Sequence, residues 1–153
     1  MSNENQLSRA QSRSAARLAA VQALYQKDME DIGISRLLIE FHEHRLGAEI
    51  EDNQYAKADR HFFDDIVMGT DKRRAEIDAL IEDNLGEKWS IKRLDKTMLQ
   101  ILRAGCFELL ARADVSTATI INEYVDVAHA FFDEAEAKFT NGLLDAAAKK
   151  VRV

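Results

Sequence analysis

The chain has 153 residues, 46% of them hydrophobic and 31% charged, with a formal net charge of −6. This length suits a single folded domain with a sizeable core, and the acidic balance argues against a protein that coats nucleic acid indiscriminately. No apolar run approaches the roughly 18 residues of a membrane span, and the first 15 residues lack the apolar segment of a signal peptide. The single cysteine, Cys106, excludes an internal disulfide framework and favours a reducing compartment, so we expect a cytoplasmic protein.

Helices are predicted along the whole chain, because it has no proline and its apolar residues recur at spacings of three and four. The first helix is predicted to begin near Ser8 or Ser12 and to end about Asp31. Its apolar face is predicted to be Leu18, Val21, Tyr25 and Met29, with Leu24 at the margin. The second is predicted from Ser35 to Leu46, burying Leu37, Leu38 and Phe41, with Gly47 as its C-terminal stop and a loop over 48–57.

The segment 58–85 is predicted to form one long helix or two in tandem, with Gly69 as the bend. Its apolar positions are Phe62, Phe63, Ile66, Val67, Ile77, Leu80 and Ile81. The connector "LGEKWS" (85–90) follows, and we expect its Trp89 to fill a gap between helices.

Residues 95–112 are apolar on nearly all sides, which predicts a central helix surrounded by the others. Ser116 or Thr117 is the predicted cap of the next helix, which carries Ile120, Ile121, Tyr124, Val125, Ala128 and Phe131. A last helix is predicted over 134–150, through Phe139, Leu143, Leu144 and Ala147. The pattern therefore predicts an all-α, compact helical bundle, with 1–153 as a single domain.

Signatures of catalysis are weak in this sequence. The four histidines lack the spacing of a zinc-binding helix, so no metal site is expected. Cys106 lies among leucines, where a thiol acts as a core side chain, and no glycine-rich phosphate loop occurs. We expect a binding protein without catalytic residues or cofactor.

Basic residues are concentrated at the start of this acidic chain. Residues 1–17 hold three arginines and one acid, Glu4, for a charge of +2, and the remainder carries −8. On a helix Arg9, Arg13 and Arg17 form one stripe, which leads towards Tyr25 two turns further on. Arginine pairs well with phosphate, and tyrosine offers a face to an unstacked base. The pattern favours a single-stranded RNA surface, and the alternative is a helix end with solvated arginines.

Five segments resemble the NusB family of bacterial transcription antitermination factors. They are "RSAARLAAVQALYQ" (13–26), "FFDDIVMG" (62–69), "LDKTMLQILRAGCFELL" (94–110), "INEYVDVAHAFF" (121–132) and "KFTNGLLD" (138–145). They occur in the family's order and cover nearly the whole chain.

The resemblance implies an all-α fold of about seven helices in two packed helical halves and no enzymatic activity. It implies pairing with NusE, which is also a small-subunit ribosomal protein, and binding of boxA RNA in nascent transcripts. That complex would recruit other Nus factors to RNA polymerase so that ribosomal RNA operons are transcribed through terminators.

By the same resemblance, two sets of residues are assigned to the site. The RNA-binding residues are Arg9, Arg13, Arg17, Tyr25, Lys138 and Phe139. The partner-binding residues are Tyr25, Asp95 and Phe139. Periodicity alone leaves other interpretations open: Tyr25 and Phe139 could be core residues, and Asp95 could be the cap of the central helix.

The chain departs from the family pattern at several positions. Ser14 and Ala15 interrupt the arginines, which makes the basic patch thinner, and Ser116 stands where proline is common. Phe132 replaces a usual glycine and Ala135 falls where an acid can occur, so we expect the local shape of the binding edge to differ from that of the family.

Two other functions fit the sequence. NusB-like domains also form part of an rRNA cytosine methyltransferase, although the chain ends before any cofactor-binding α/β domain would follow. A purely structural helical adaptor is the third possibility. The sequence does not distinguish a monomer from a homodimer.

Overall fold

The computed structural model describes residues 2–46 and 58–152, and it describes side chains from Arg9 onward. The described residues form seven α-helices. They are α1 (Ser2–Glu30), α2 (Ile34–Phe41), α3 (Arg60–Lys72), α4 (Arg74–Asn84), α5 (Lys96–Ala111), α6 (Thr117–Phe131) and α7 (Glu134–Val151). A π-helical turn, His42–Leu46, continues α2, and a 3-10 turn, Ile91–Arg93, precedes α5. Within those ranges there is no strand, which confirms the all-α prediction, and no helix long and apolar enough to cross a membrane.

Two compact units divide the chain, one over residues 1–68 and the other over residues 69–153. In the first unit, α1 packs against α2 and its π-helical turn. The core there includes Phe41 and Phe63, whose rings stack with centroids 5.5 Å apart. Both aromatic residues were predicted to be buried, and the assignment of 1–153 to a single domain stays a prediction.

The buried face of α1 differs from the predicted one. Leu24, expected at the margin, is buried, whereas Tyr25 and Met29 are 38% and 55% exposed. The buried positions are mainly small: Ala16, Ala19, Ala20, Val21 and Ala23. Alanines allow a helix to approach its neighbours closely, so close packing of small residues accounts for much of the core side of α1.

The observed ends of α1 and α2 also differ from the predicted ones. Helix α1 begins at Ser2, earlier than Ser8 or Ser12, and is followed by Asp31 in the left-handed region with φ 52°. The N–H of Asp31 donates to the Lys27 carbonyl over 3.0 Å, which closes the last turn. Together α2 and its π-helical turn cover the predicted segment to Leu46, but Leu38 is only half-buried. The predicted stop at Gly47 and loop over 48–57 lie outside the described residues.

The break between α3 and α4 falls at Arg73, and the predicted bend at Gly69 is wrong. Gly69 lies inside α3, where an added Cβ would overlap the ring of Phe107 on α5. The glycine therefore allows close approach of two helices rather than a bend. Arg73 leaves helical geometry with φ −102° and ψ 20°, and its guanidinium pairs with Glu76.

Helix α5 is the central helix of the second unit, as predicted, and packs against α4, α6 and α7. Every residue from Met98 to Leu109 is buried. The polar members of this stretch have partners: Arg103 donates to both carboxylate oxygens of Asp78, over 2.8 and 3.0 Å, and Glu108 accepts from the Tyr124 hydroxyl. Cys106 is fully buried, which confirms its predicted place in the core, and this burial raises the pKa of its thiol to about 12.

Helices α6 and α7 complete the second unit. Ser116 caps α6 by accepting from the Thr119 N–H over 3.1 Å, as predicted. Leu143, Leu144 and Ala147 of α7 are buried, whereas Phe131, predicted to be apolar core, is 42% exposed near the end of α6. Aromatic residues at the end of α6 therefore reach the surface instead of the core.

Candidate nucleic-acid interface

The three arginines at the start of α1 have different surroundings. Arg9 is exposed, Arg13 is half-buried and Arg17 is only 2% exposed. The guanidinium carbons of Arg13 and Arg17 lie 4.5 Å and 4.7 Å from the centroid of the Phe62 ring on α3. The stripe therefore runs from solvent at Arg9 into the core of the first unit at Arg17.

The burial of Arg17 corrects the expectation of an evenly exposed stripe. Helix spacing places the three arginines on one side of α1, but it does not reveal that α3 covers the far end of that side. Contact with an aromatic face offsets part of the cost of burying a guanidinium, and its methylene stem can pack among apolar groups. Arg9 and Arg13 are consequently the arginines of the stripe that solvent and a polyanion can reach.

Tyr25 lies on the exposed side of α1, two helical turns beyond Arg17. Its exposure of 38% excludes the alternative that it is a core residue. The neighbouring Gln26 donates to Glu30 and, over 3.3 Å, to Glu40 on α2, so this region of α1 has fixed polar contacts. An exposed aromatic ring beside such contacts is suited to contact with a base or a partner protein.

Asp95 is the N-cap of α5. Its Oδ1 accepts hydrogen bonds from the backbone N–H groups of Thr97 and Met98 over 2.8 and 3.1 Å. The capping interpretation is therefore confirmed, and because Asp95 is also exposed, its role in partner binding stays a prediction.

A groove in the second unit, which we call the aromatic groove, contains Asp95 and Phe139. It has a volume of about 490 Å³ and is lined by Trp89, Arg93, Leu94, Asp95, Met98, Phe132, Ala135, Glu136 and Phe139. Phe139 is half-buried there, which is intermediate between the predicted surface and core positions. Lys138 is exposed next to it on α7.

Trp89 belongs to this groove, and the expectation that it fills a gap between helices is wrong. Its side chain is 54% exposed. The 3-10 turn that follows, with the Arg93 guanidinium donating to the Lys88 carbonyl over 2.6 Å, forms the segment next to Trp89. A large aromatic residue in a short connector is thus presented to solvent.

Sequence reasoning missed Glu136 as a groove residue and noted Phe132 only as a departure from a family pattern. Phe132 is the C-cap residue of α6, and its ring centroid lies 6.5 Å from that of Phe131. The adjacent pair of phenylalanines at a predicted helix end was the available signal for Phe132. Nothing in the spacing of acids distinguished Glu136 from the neighbouring Asp133 and Glu134.

The predicted site residues fall into two groups. Arg9, Arg13, Arg17 and Tyr25 belong to α1 of the first unit, and Asp95, Lys138 and Phe139 belong to the second. Over the described part of the chain, no three His, Cys, Asp or Glu side chains converge as metal ligands would. His42, one of the candidate histidines, is paired with Asp64 over 2.6 Å.

Comparisons of the sequence with family models and with known proteins indicate the same family. The NusB family model matches residues 14–149. Transcription antitermination protein NusB of Novosphingobium aromaticivorans is 68% identical over 140 residues, which are 92% of this chain and 95% of that protein. The same-named protein of Sphingopyxis alaskensis is 61% identical over 144 residues, covering 94% and 97%.

Solved structures agree with this result. A crystal structure of the antitermination factors NusB and NusE in complex with dsRNA contains a chain with a TM-score of 0.76 and 27% identity to this one, covering 91% and 97% of the two chains. NusB of T. maritima superimposes with a TM-score of 0.74 at 29% identity, covering 90% and 91%.

Proposed function

Because the chain belongs to the NusB family, we propose that it is an RNA-binding transcription antitermination factor that pairs with NusE. Its RNA ligand is the boxA sequence of nascent ribosomal RNA transcripts, and the complex supports processive transcription of ribosomal RNA operons. Other Nus factors and RNA polymerase are contacted through that complex. The observation that carries the proposal is the 68% identity to a transcription antitermination protein over nearly the full length of both chains.

The solved complex of NusB and NusE with dsRNA supports a NusE protein and RNA as the two classes of partner. We assign the phosphate contacts of this chain to Arg9 and Arg13, because both lie on one side of α1 and are reachable from solvent. Tyr25 and Phe139 offer aromatic faces for base stacking, which favours single-stranded RNA over a duplex. Lys138 adds an exposed charge next to Phe139.

Binding rather than catalysis is the proposed mode of action. The single thiol has its pKa raised to about 12 by burial, so it is protonated at neutral pH and is not an effective nucleophile. Asp95 caps α5, Asp78 pairs with Arg103, and Glu108 accepts from the Tyr124 hydroxyl. These contacts explain these three acids without a role in acid–base chemistry.

A titration with boxA-type RNA, with and without NusE, tests the proposal. The chain alone should bind this RNA weakly, because only Arg9 and Arg13 of the arginine stripe are accessible, and NusE should tighten the complex. Coupling of about 1–3 kcal/mol, or roughly 5- to 150-fold in affinity, is typical of such linkage. An RNA affinity that NusE leaves unchanged would overturn the cooperative part of the proposal.

The alternative, an RNA-binding module of an rRNA methyltransferase, receives less support. The relatives that match at 61% and 68% identity are named transcription antitermination proteins. A scrambled boxA sequence is the useful control, since an antitermination factor should prefer boxA and an incidental polyanion binder should not.

A further inference from the structure

The start of α3 lies beside the arginine stripe of α1, and both belong to the first unit. The backbone N–H of Asp59 donates to the Ser12 carbonyl over 3.0 Å. Ser12 itself lies between Arg9 and Arg13 on α1. In the first turn of α3, the centroid of the Phe62 ring lies 4.5 Å from the guanidinium carbon of Arg13. Two separate contacts therefore hold the first turn of α3 next to the stripe.

This first turn carries basic residues where acidic ones would be more stable. Arg60 and His61 are the first two residues of α3, and the turn contains no acid. Both side chains are exposed. The N-terminus of a helix carries a partial positive charge, so a cation there opposes helix stability and an acid supports it. Residues that act against local stability are expected at functional sites, which makes this turn a candidate for one.

The acid that precedes this turn is engaged with the backbone of α3. The Oδ1 of Asp59 accepts from the Phe62 N–H over 3.0 Å, and its carbonyl accepts from the Phe63 N–H over 2.9 Å. These bonds make Asp59 the N-cap of α3 and hold its carboxylate against the end of the helix. The backbone that carries Arg60 is thus fixed, and a fixed cation binds an anion with a smaller loss of conformational freedom.

The charges that meet here favour a polyanion as the ligand. Arg60 on α3 joins Arg9 and Arg13 on α1, so three arginines occupy neighbouring positions in a chain with a net charge of −6. Clustered charges of one sign repel one another, and a ligand of opposite charge offsets that cost. A guanidinium binds phosphate with paired donors, and the repeated phosphates of one strand match arginines on two adjacent helices.

We propose that Arg60 binds a backbone phosphate of the same RNA strand that contacts Arg9 and Arg13, so that the strand crosses from α1 to the start of α3. His61 offers a flat ring against which a base at that point of the strand stacks. This inference rests on the proposed function and adds a contact from α3 to it. The site residues assigned by family resemblance lie only on α1 and in the second unit.

The test measures the affinity of Arg60→Gln for boxA-type RNA at several salt concentrations, with NusE at saturation. One phosphate contact on a single strand contributes about 0.7 to the slope of log affinity against log salt, which is roughly fivefold in affinity at 0.1 M salt. We expect the variant to lose both amounts. The loss should be the same for a scrambled RNA, because a phosphate contact carries no sequence information.

Thermal melts separate this role from a structural one. Arg60→Gln should melt at or above the temperature of the parent chain, because it removes a cation from the N-terminus of α3. A lower melting temperature together with unchanged RNA affinity would make Arg60 a structural residue and overturn the inference.

Arg36→Gln is the matched control, because Arg36 is an exposed arginine of α2 in the same unit. The hydrogen bond from Gln26 to Glu40 places α2 beside the far end of α1. At 1.5 Å per residue, Gln26 is about 21 Å along the helix from Ser12. The control should therefore keep its salt slope and stay within about twofold of the parent in RNA affinity.

RNA strands with one uncharged methylphosphonate linkage each identify the phosphate. Neutralising one linkage should weaken binding to the parent chain but not weaken binding to Arg60→Gln further, because both changes remove the same contact. The absence of any linkage coupled to Arg60 overturns the inference.

The remaining outcomes separate this inference from the proposed function. Equal RNA affinities for Arg60→Gln and Arg36→Gln overturn the inference alone. A loss confined to NusE affinity also overturns it and assigns the start of α3 to a protein contact. A parent chain that binds no RNA, with or without NusE, overturns the proposed function together with the inference.

Discussion

At the residue scale, α1 shows that equal spacing does not mean equal environment. Arg13 and Arg17 lie one helical turn apart and contact the same ring, Phe62, yet Arg17 is 2% exposed and Arg13 is half-buried. A buried arginine contributes to stability through its methylene stem and its contact with the ring as well as through charge. The two side chains are thus expected to differ in their effect on folding.

Arg17→Ala should lower the free energy of unfolding by about 2 kcal/mol or more, because it removes a buried side chain and its contact with the Phe62 ring. Arg13→Ala should cost less than about 1 kcal/mol, since Arg13 remains partly in solvent. Urea denaturation of both variants measures the difference. Equal midpoints for the two would mean that Arg17 is not an integral part of the core.

Phe139→Asp should remain folded and unfold cooperatively while it loses RNA affinity, with stacking worth about 1–3 kcal/mol. The reason is that Phe139 is half-buried at a groove, where a carboxylate can reach solvent. Circular dichroism melts and an RNA titration measure the two effects separately.

Leu143→Asp is the control for Phe139→Asp. Leu143 follows Phe139 by one turn on α7 and is only 4% exposed, so an aspartate there places an unpaired charge in the core at a cost of several kcal/mol. It should unfold the protein or melt far lower. Equal destabilisation by the two variants would assign Phe139 to the core and remove it from the site.

At the scale of helices, glycine has two different uses in this chain. Gly69 of α3 faces the Phe107 ring of α5 with no room for a Cβ, and Gly105 of α5 has Leu144 side-chain carbons 2.9 and 3.0 Å from where a Cβ would lie. Gly142 of α7 has nothing within 4 Å of that position. The first two allow α5 to pack closely, whereas Gly142 only reduces the helix propensity of α7.

Gly69→Ala should lower the free energy of unfolding by about 1–3 kcal/mol, because the new methyl group overpacks the contact with Phe107. Gly142→Ala is the matched control and should raise it by up to about 1 kcal/mol through helix propensity. Thermal denaturation gives the sign of each effect. A stabilising Gly69→Ala would show that Phe107 can move aside freely.

Arg152, at the end of α7, forms hydrogen bonds with the end of α5 and the turn that follows it. Its guanidinium donates to the carbonyls of Glu108, Leu109, Arg112 and Val115 and to the Thr117 hydroxyl, over 2.7–3.3 Å. The Leu109 carbonyl lies in the last turn of α5, where carbonyls lack an N–H partner within the helix, and a cation at that end is also favoured by the helix dipole.

Arg152→Lys should lower the free energy of unfolding by about 2 kcal/mol or more, even though the charge is kept. An ammonium group cannot reproduce the planar arrangement of five donors, so the carbonyls of the buried residues Leu109 and Val115 lose the hydrogen bonds that the guanidinium donates. Lys150→Ala, an exposed change near the same end of α7, should stay within about 0.5 kcal/mol in the same melt. A melting temperature for Arg152→Lys that matches this control would contradict the capping role.

At the scale of the whole molecule, a chain with a net charge of −6 carries its accessible arginine stripe on one segment of α1. This arrangement limits nonspecific attraction to nucleic acid and leaves a local positive surface for selective contact. RNA affinity should accordingly depend on few phosphate contacts. The change of RNA affinity with salt concentration should show how many phosphate contacts there are.

Replacing both Arg9 and Arg13 by alanine should weaken RNA binding across sequences. The slope of log affinity against log salt should flatten by roughly 0.7 for each phosphate contact that is lost on a single strand. RNA titrations at several salt concentrations measure the slope for the parent and the double variant. An unchanged slope would identify the two arginines as a solvated helix end.

Local patterns were sufficient for most of the helices. The all-round apolar character of residues 95–112 predicted the buried α5, and the hydroxyl of Ser116 predicted the start of α6. These features depend on side chains within a few positions of one another, which is why they can be read from the chain alone. The segments that resemble the NusB family predicted the membership that the comparisons show.

The sequence by itself determined the helical class, the central helix and the arginine stripe, because helix spacing fixes which side chains share a face. Only the tertiary structure decided which of those faces is covered: it buries Arg17 against Phe62 and leaves Tyr25 exposed. It also brings Trp89, Glu136 and Phe139, from two separate segments, to one groove. The physical reason is that burial depends on residues far away in the chain, and spacing along one helix contains no information about them.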